Sequence, residues 1–458
     1  MKKKVIALFL TGAMVGSLAA CGGGSAGTTS TGTSADAAAS TSSAAAESTS
    51  AEAPAASGDE NSLTVWTWDP AFNIYAMQEA EKVYQKDHPD FKLNIVEILS
   101  EDIETKLTTA ATAGDYSTLP DIFLMQDNSY QKYVANFPDV FTPLDDSGVN
   151  FDDFGAAKVA YSTVDDVHYG VPFDNGAAIQ CLRSDYLEQS GLTVDDFTDI
   201  TWDKFIELGK TVKEKTNMPL LTSQAGSPDL IMMMLQSCGS SMFKEDGSLN
   251  MVGNAALKES MEIYKEMVEA GVLTEVTDWD QYVASINNGT VAGIINGCWI
   301  MGTIQVAEDQ AGKWDITNLP KLDGIDGATN YSNNGGSSWA VSSNCQNTDL
   351  AFDFLKSTFA GSTEFYDTIL PASGALATYL PAGDSAVYAE PQPFYNDEPV
   401  FQKITEYTGN IPSNITGAYY YDARDAVGVA LTNMIQSGQD IEAGIQEAQD
   451  TVEFNMGG

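Results

Sequence analysis

Hydrophobic residues from position 62 onward recur at spacings that predict alternating strands and helices. An apolar run at 63–66 is typical of a strand, and apolar residues then recur at helical spacing until Pro89 ends the helix. The same pattern predicts strands at 91–95 and 120–125 and helices at 101–113 and 131–137. Strands that alternate with helices need crossover connections, so we expect an α/β domain with parallel strands.

A second α/β stretch is predicted from residue 167 onward. Two strands at 167–173 and 177–183 flank a turn at 174–176, and a turn at 333–336 precedes a strand at 339–341. Helices are expected at 202–215, where Thr201 is the N-cap, and at 230–236, 256–270, 350–359, 401–407, 419–435 and 441–452, with short strands at 220–221 and 290–295. The chain is long enough for two or three domains.

The first 21 residues resemble a bacterial lipoprotein signal. Three lysines at positions 2–4 precede an apolar run at 5–15 that is too short for a comfortable membrane span, and two alanines precede Cys21. The resemblance implies that residues 1–20 are removed and that Cys21 carries an acyl-lipid (palmitate) anchor. We expect the mature protein on the outer face of the cytoplasmic membrane of a Gram-positive bacterium. An ordinary signal peptide is the alternative.

Residues 22–60 contain no aliphatic residue larger than Ala apart from one Pro, and no aromatic residue. Such a segment cannot bury enough apolar surface to offset the entropy cost of ordering. We therefore expect residues 21–60 to form a lipidated, flexible tether, with ordered structure beginning at Ser62.

The net charge and the histidine and cysteine content limit which partners, metal sites and disulfides are expected. Lys and Arg number 22 against 64 Asp and Glu, which gives a net charge of −42 and argues against nucleic acid as a partner. Only two histidines are present, so a His-rich zinc or copper site is not expected. We expect no metal site and no cofactor. Besides Cys21, the cysteines are Cys181, Cys238, Cys298 and Cys345. We favour buried free thiols for these four, although disulfide pairing stays open.

Dispersed motifs extend over nearly all of the folded part. They are LTVWTWD at 63–69, LPDIFLMQDNSY at 119–130, FTPLDD at 141–146, YGVPFDNGAAIQC at 169–181, TWDKFIELGKTV at 201–212, GTVAGIINGCWIM at 289–301, NNGGSSWAV at 333–341 and YYYDARDAVGVAL at 419–431. In this order they resemble the family 1 extracellular solute-binding lipoproteins of ABC importers, the group that includes maltose-binding and other sugar-binding proteins.

The resemblance implies a two-lobed, type II periplasmic-binding-protein-like α/β fold with hinge strands between the lobes. The expected N-terminal lobe is 61–172 with 337–395, and the expected C-terminal lobe is 173–336 with 396–458. Crossings between lobes are expected near 170–176, near 331–338 and near residue 395. The implied function is capture of an extracellular sugar or oligosaccharide by hinge closure, followed by delivery to the membrane permease subunits. No catalytic step is expected, and the protein is expected to be monomeric.

A sugar presents apolar ring faces and a rim of hydroxyls, so its site needs aromatic surfaces and strong acceptors. Trp68 and Asp69 follow the first predicted strand and suit stacking and hydroxyl binding. Asp127 and Asn128 follow the strand that ends near Met125, where the family places a contact loop. The alternatives are that Trp68 packs within the strand layer and that Asp127 caps a helix.

The resemblance implies further contacts at both hinges and in the second lobe. Asp174 lies where the family often places an acidic ligand contact, and a plain Asx turn is the alternative. Trp299 matches the family's tryptophan at a helix start, with a core position as its alternative. Gly336 and Ser337 precede the last predicted strand, where glycine would allow the backbone to approach a ligand closely.

The remaining candidates lie at the predicted helix start near residue 419. Tyr420, Tyr421 and Arg424 would face the ligand, with Arg424 holding an acidic sugar or bracing a carboxylate, and a surface aromatic cluster is the alternative. Four other functions stay open: a polyamine binder, a ferric-ion binder that uses adjacent tyrosines, an adhesin and a carbohydrate-active hydrolase. For the last, no Cys–His pattern is evident.

Overall fold

The computed structural model describes residues 55–457, in which strands and helices alternate along the chain. The strands are β1 (Ser62–Thr67), β2 (Lys92–Glu97), β3 (Ile122–Gln126), β4 (Thr163–Val164), β5 (Val167–His168), β6 (Val171–Arg183), β7 (Leu221–Gln224), β8 (Leu273–Val276), β9 (Gly293–Gly297), β10 (Trp314–Thr317) and β11 (Asn333–Val341). The predicted lipoprotein signal, Cys21 and most of the predicted tether lie outside the described residues.

The helices fall close to their predicted positions wherever a helix was predicted. They are α1 (Asn73–Tyr84), α2 (Ser100–Ala113), α3 (Asp127–Asn136), α4 (Ala156–Tyr161), α5 (Ser184–Ser190), α6 (Trp202–Thr216), α7 (Asp229–Ser237), α8 (Ala255–Glu269), α9 (Trp279–Asn287), α10 (Ile300–Gln305), α11 (Thr348–Ser357), α12 (Thr363–Ser373), α13 (Leu380–Gly383), α14 (Val400–Thr408), α15 (Tyr420–Ser437) and α16 (Ile441–Met456). The Thr201 side chain accepts a hydrogen bond from Lys204 N and caps α6, as predicted.

The first three strands form the predicted parallel arrangement, with β1 between β2 and β3. β11 pairs antiparallel with β3 on one side and with β6 on the other. β6 uses its first half for β11 and its second half for β9 and β10. One long strand therefore belongs to two portions of the sheet and connects them.

Two turn predictions were wrong. The 174–176 segment is part of the continuous strand β6, because Asp174 and Asn175 pair with Ser337 and Gly336 of β11. Likewise, 333–336 lies inside β11, where the register is irregular. Gly335 and Gly336 have φ of +91° and +101°, a backbone region that favours glycine, so the strand forms a bulge here instead of a turn.

The hydrophobic core is divided between two lobes, and β6 contributes to both. Val171 and Phe173 pack with β1, β3, α1, α11 and α12. Ala178 and Leu182 pack with α6, α7, α8, α15 and α16 on one face of the second portion. On the other face Ile179 and neighbouring residues pack with α10 and α14, and Leu370 of α12 joins this cluster. The lobe boundaries given above stay predictions.

Ordered structure begins earlier than Ser62. Ala56 N donates to Leu119 O at 2.8 Å, and Ser57 N donates to Asp121 Oδ2 at 2.7 Å. The backbone N–H groups at the end of the predicted tether thus hold it against the segment that leads into β3, which composition alone does not indicate. Within residues 55–457, no helix has both the length and the apolar character needed to cross a bilayer.

The four cysteines of the described part are free thiols, as we favoured. Cys181, Cys298 and Cys345 are buried, whereas Cys238 is partly exposed. Burial raises the pKa of the Cys238 thiol above its ordinary value.

Candidate functional site

Trp68 and Asp69 lie where the chain leaves β1. Asp69 Oδ1 accepts hydrogen bonds from Ala71 N at 2.8 Å and from Phe72 N at 3.2 Å, so this carboxylate shapes the entry into α1. Burial raises the pKa of Asp69 above its ordinary value. The Trp68 ring is partly exposed, while Trp66 is buried. The first strand therefore ends in an aromatic surface next to a carboxylate.

Asp127 and Asp174 meet at the junction of β3, β6 and β11, around one buried lysine. Lys158 Nζ forms an ion pair with Asp127 Oδ2 and donates to Ser337 O at 2.9 Å. Asp174 Oδ1 accepts from Ser337 N at 2.9 Å, and Asp127 Oδ1 accepts from the Ser338 hydroxyl at 3.0 Å. Lys158 thus pairs with Asp127 directly, and its positive charge also favours the ionised form of Asp174 at the bulge of β11.

This buried charge cluster is almost closed to solvent. Asp127 is 4% exposed and Asp174 is 1% exposed. Burial raises the pKa of Asp127 to about 6 even though Lys158 opposes this shift, and burial also raises the pKa of Asp174. A Cβ on Gly336 would lie 2.5 Å from Asp127 Oδ2, so only glycine leaves room for the carboxylate. The cluster holds β11 against β6 beside the candidate cleft.

Trp299 stands at the start of α10, immediately after β9. Its indole Nε1 donates to Asn334 O at 2.9 Å, and Asn334 Nδ2 donates to Asn296 Oδ1 at 2.8 Å. The ring is partly exposed, and its centroid lies 6.0 Å from that of Trp279. Because the N–H is already used, Trp299 can offer a ligand its ring surface but no further donor.

The start of α15 brings Tyr421 and Arg424 towards β3 and α7. The Tyr421 hydroxyl donates to Gln126 Oε1, and Arg424 Nη2 lies 2.6 Å from Asp229 Oδ1. The Arg424 guanidinium also lies over the Tyr421 ring at 5.6 Å. In this geometry Arg424 braces a carboxylate, which is one of its two predicted roles.

Tyr420 and Asn128 have different surroundings. Tyr420 is buried in the core cluster of the second lobe. The Oδ1 atom of Asn128 is buried and has no hydrogen-bond partner among the described residues. An acceptor left in this state carries a desolvation cost until a donor reaches it.

Sequence reasoning missed two residues here, Lys158 and Trp279. Lys158 lies 31 positions from Asp127 in an otherwise ordinary helical stretch, so its pairing has no local signal. Trp279 lies three residues after the end of β8, a strand that the sequence analysis did not predict. Between residues 55 and 457, no three His, Cys, Asp or Glu side chains are grouped so that they could hold a metal ion.

The chain as a whole matches a known family. The sequence profile of the bacterial extracellular solute-binding proteins matches residues 79–414, and this chain belongs to that family. Over 365 residues it is 40% identical to the lactose-binding protein of Rhizobium radiobacter, covering 80% of this chain and 86% of that protein. Over 413 residues it is 23% identical to the arabinooligosaccharide-binding protein of Halalkalibacterium halodurans, covering 86% and 89%.

Solved structures share the two-lobed fold. The ABC transporter associated binding protein of B. animalis subsp. lactis Bl-04, in complex with beta-1,6-galactobiose, gives a TM-score of 0.75 at 18% identity and covers 87% of this chain and 98% of that one. The GacH receptor of Streptomyces glaucescens gives 0.73 at 15% identity, covering 86% and 97%. The predicted periplasmic-binding-protein-like fold is confirmed.

Proposed function

We propose that this protein is the sugar-binding receptor of an ABC importer and captures an extracellular sugar or oligosaccharide between its lobes. The observation that carries the proposal is the position of the part-exposed rings of Trp68 and Trp299, which follow the ends of β1 and β9. Sugar rings stack on such surfaces. The 40% identity to a lactose-binding protein supports the same ligand class, with lactose or a related galactoside as the first candidate.

The ligand would contact both lobes only when they are closed, so it would favour closure by its differential affinity for that state. The proposed contacts are Trp68, Asp69, Asp127, Asn128, Asp174, Trp299, Gly336, Ser337, Tyr420, Tyr421 and Arg424. For Asp127, Asp174 and Ser337, contact with ligand would require the buried charge cluster to open on one side. The closed form would be the one that the permease subunits recognise.

Anchoring and assembly belong to the same proposal. Cleavage before Cys21 and lipidation of that residue would hold the mature monomer on the outer face of a Gram-positive cell membrane. The receptor would bind and release its sugar without catalysing a reaction. Mass spectrometry of the mature protein from a bacterial host tests the anchor, since a diacylated N-terminal peptide beginning at Cys21 is expected. A mature N-terminus elsewhere, or an unmodified Cys21, would contradict it.

The ferric-ion alternative has no support from the tyrosines. Tyr420 is only 6% exposed and packs in a hydrophobic core cluster. Tyr421 is in addition hydrogen-bonded to Gln126. A polyamine would find carboxylates here, but the exposed aromatic strand ends fit a sugar equally well, and the relatives favour the sugar.

A thermal-shift screen tests the proposal directly. The panel contains lactose, galactose, β-1,6-galactobiose, arabinooligosaccharides, spermidine and ferric citrate, followed by calorimetry on each hit. We expect stabilisation by a sugar at concentrations well above its Kd, because a ligand that binds only the folded state raises the unfolding temperature. Stabilisation by spermidine or iron alone, or hydrolysis products in the sugar samples on chromatography, would contradict the proposal.

A further inference from the structure

The described residues include all seven tryptophans of the chain, and their burial divides them into two groups. Trp66, Trp202, Trp314 and Trp339 are each at most 1% exposed. The three part-exposed ones are Trp68, Trp279 and Trp299, and each lies within three residues of the carboxyl end of a strand. Because tryptophan is usually well buried, incomplete burial at three such positions points to a shared surface.

Trp279 lies at the same edge of the second lobe as the groups already described. β7 and β8 are parallel, and Ala225 N donates to Val276 O at 2.8 Å where both strands end. The chain after β7 leads to Asp229, the partner of Arg424, and the chain after β8 leads to Trp279. The carboxyl ends of parallel strands are where ligands bind in open α/β sheets.

The ring of Trp279 is held firmly on one side. Asp278 caps α9 by accepting from Gln281 N at 2.9 Å, which fixes the position of the first helical residue. The buried Tyr282 ring stacks against Trp279 with centroids 5.1 Å apart and planes 24° apart. The Tyr282 hydroxyl in turn accepts from Asn296 Nδ2 at 2.8 Å. A ring supported in this way loses little conformational entropy when a ligand packs on it.

Trp279 and Trp299 together present a bent aromatic surface. Their ring centroids are 6.0 Å apart and their planes are inclined by 40°, so they are neighbours but do not cover each other by stacking. A single pyranose ring has two broad faces and would use one indole. Two indoles side by side match successive rings of a glycosidic chain.

We infer that Trp279 contacts a second ring of the ligand next to the ring that Trp299 binds, and thereby selects disaccharides or longer sugars over monosaccharides. This inference rests on the proposed function. The ligand class is a galactoside or other glycoside of at least two rings. Trp279 is then a specificity-determining residue of the cleft.

The test compares a one-ring and a two-ring ligand on Trp279→Ala. The two-ring probe is lactose or β-1,6-galactobiose, whichever the unmodified protein binds more tightly, and galactose is the ring that both contain. Calorimetry, or displacement of the disaccharide for weak binding, gives each Kd. We expect Trp279→Ala to weaken disaccharide binding by about tenfold, clearly more than it weakens galactose binding. Should this variant not fold, Trp279→Leu keeps the apolar volume without the flat ring and carries the same expectation.

Phe394→Ala is the matched control. Phe394 is a part-exposed ring that packs on the same core cluster, but its carbonyl accepts from Gly312 N beside β10, at the far end of β6. Phe394→Ala should leave the affinities for galactose and for the disaccharide unchanged. An equal loss of affinity for both sugars in Trp279→Ala would mean that Trp279 acts only by supporting Trp299. An unchanged affinity for the disaccharide would exclude any contact between Trp279 and the ligand. Either result overturns the inference. Failure of the unmodified protein to bind any of these sugars overturns the proposed function itself.

Discussion

The hydroxyl of Tyr421 donates a hydrogen bond to the side-chain oxygen of Gln126, which joins the start of α15 to the end of β3. Lys132 of α3 adds an ion pair of 3.1 Å with Asp422 of α15. The start of α15 is thus in contact with the end of β3 and with α3, elements that the predicted boundaries assign to the other lobe. Under the proposed hinge closure, both contacts would form only when α3 and α15 approach each other, and they would stabilise the closed arrangement.

Removing the Tyr421 hydroxyl should shift the balance towards the open form. Tyr421→Phe loses a hydrogen bond that contributes about 1 kcal/mol, so we expect roughly fivefold weaker sugar binding. Tyr186→Phe is the control, because Tyr186 donates to Gly289 O within one lobe at 2.7 Å. Calorimetry on both variants measures the effect, and equal affinities for the two variants would rule out this role for Tyr421.

Trp299→Ala should weaken sugar binding without unfolding the protein. Loss of an aromatic surface that ligand would bury costs about 2 kcal/mol, which corresponds to about 30-fold in Kd. Trp299→Phe keeps a flat ring and should retain most of the affinity. Calorimetry gives the Kd values and circular dichroism checks the fold; an unchanged Kd for the folded alanine variant would remove Trp299 from the site.

Lys158→Met should destabilise the whole protein, because it leaves the buried Asp127 carboxylate without its ion-pair partner and removes a positive charge that acts on Asp174. Breaking a buried ion pair from one side typically costs about 3 kcal/mol. The control Lys210→Met removes a half-exposed pair with Glu266, for which less than about 1 kcal/mol is expected. Urea-induced unfolding measures both free energies. Similar losses for the two variants would show that the buried cluster has no special role in stability.

The pH dependence of stability should reveal Asp127. Its carboxyl has a pKa of about 6 in the folded protein because burial disfavours the charge, compared with an ordinary value of 3.8. The folded state therefore gains a proton before the unfolded state does, and this contribution to stability grows as the pH falls through 6 and is lost as the pH rises again.

The comparison variant for this prediction is Asp127→Asn, which cannot titrate at that position. We expect the free energy of unfolding of the unmodified protein, minus that of Asp127→Asn, to be larger at about pH 5 than at about pH 7. Denaturant-induced unfolding of both proteins at both pH values gives the four free energies of unfolding. A difference that stays constant, or that shrinks towards pH 5, would show that the folded pKa of Asp127 is not raised.

Hydrophobic periodicity was sufficient to predict the strands and helices whose apolar side chains alternate or recur clearly along the chain. β1 and α6 are examples, because Leu63 and Val65 share one buried face and Thr201 marks the helix start. Local composition gave a wrong prediction at 174–176. Asp, Asn and Gly favour a turn there, but pairing with β11 extends the strand. The segment pairs with β11 and does not form a turn, because strand pairing satisfies the backbone hydrogen bonds of a buried segment.

The candidate site was predictable in part. Strand ends marked Trp68 and Trp299, since ligand sites follow strands in α/β folds. The partners of Asp127 and Asp174 were not predictable, because Lys158 and Ser337 are brought to them only by the folded sheet. Trp279 was overlooked because sequence alone does not separate a core tryptophan from a partly exposed one.

Small-angle X-ray scattering of the purified protein, with and without saturating lactose or β-1,6-galactobiose, tests hinge closure upon a sugar most directly. Closure around the ligand predicts a smaller radius of gyration with sugar present, and a sugar-bound profile that fits the arrangement with Tyr421 against Gln126. Tight binding with no change in the profile of the free protein would contradict the account.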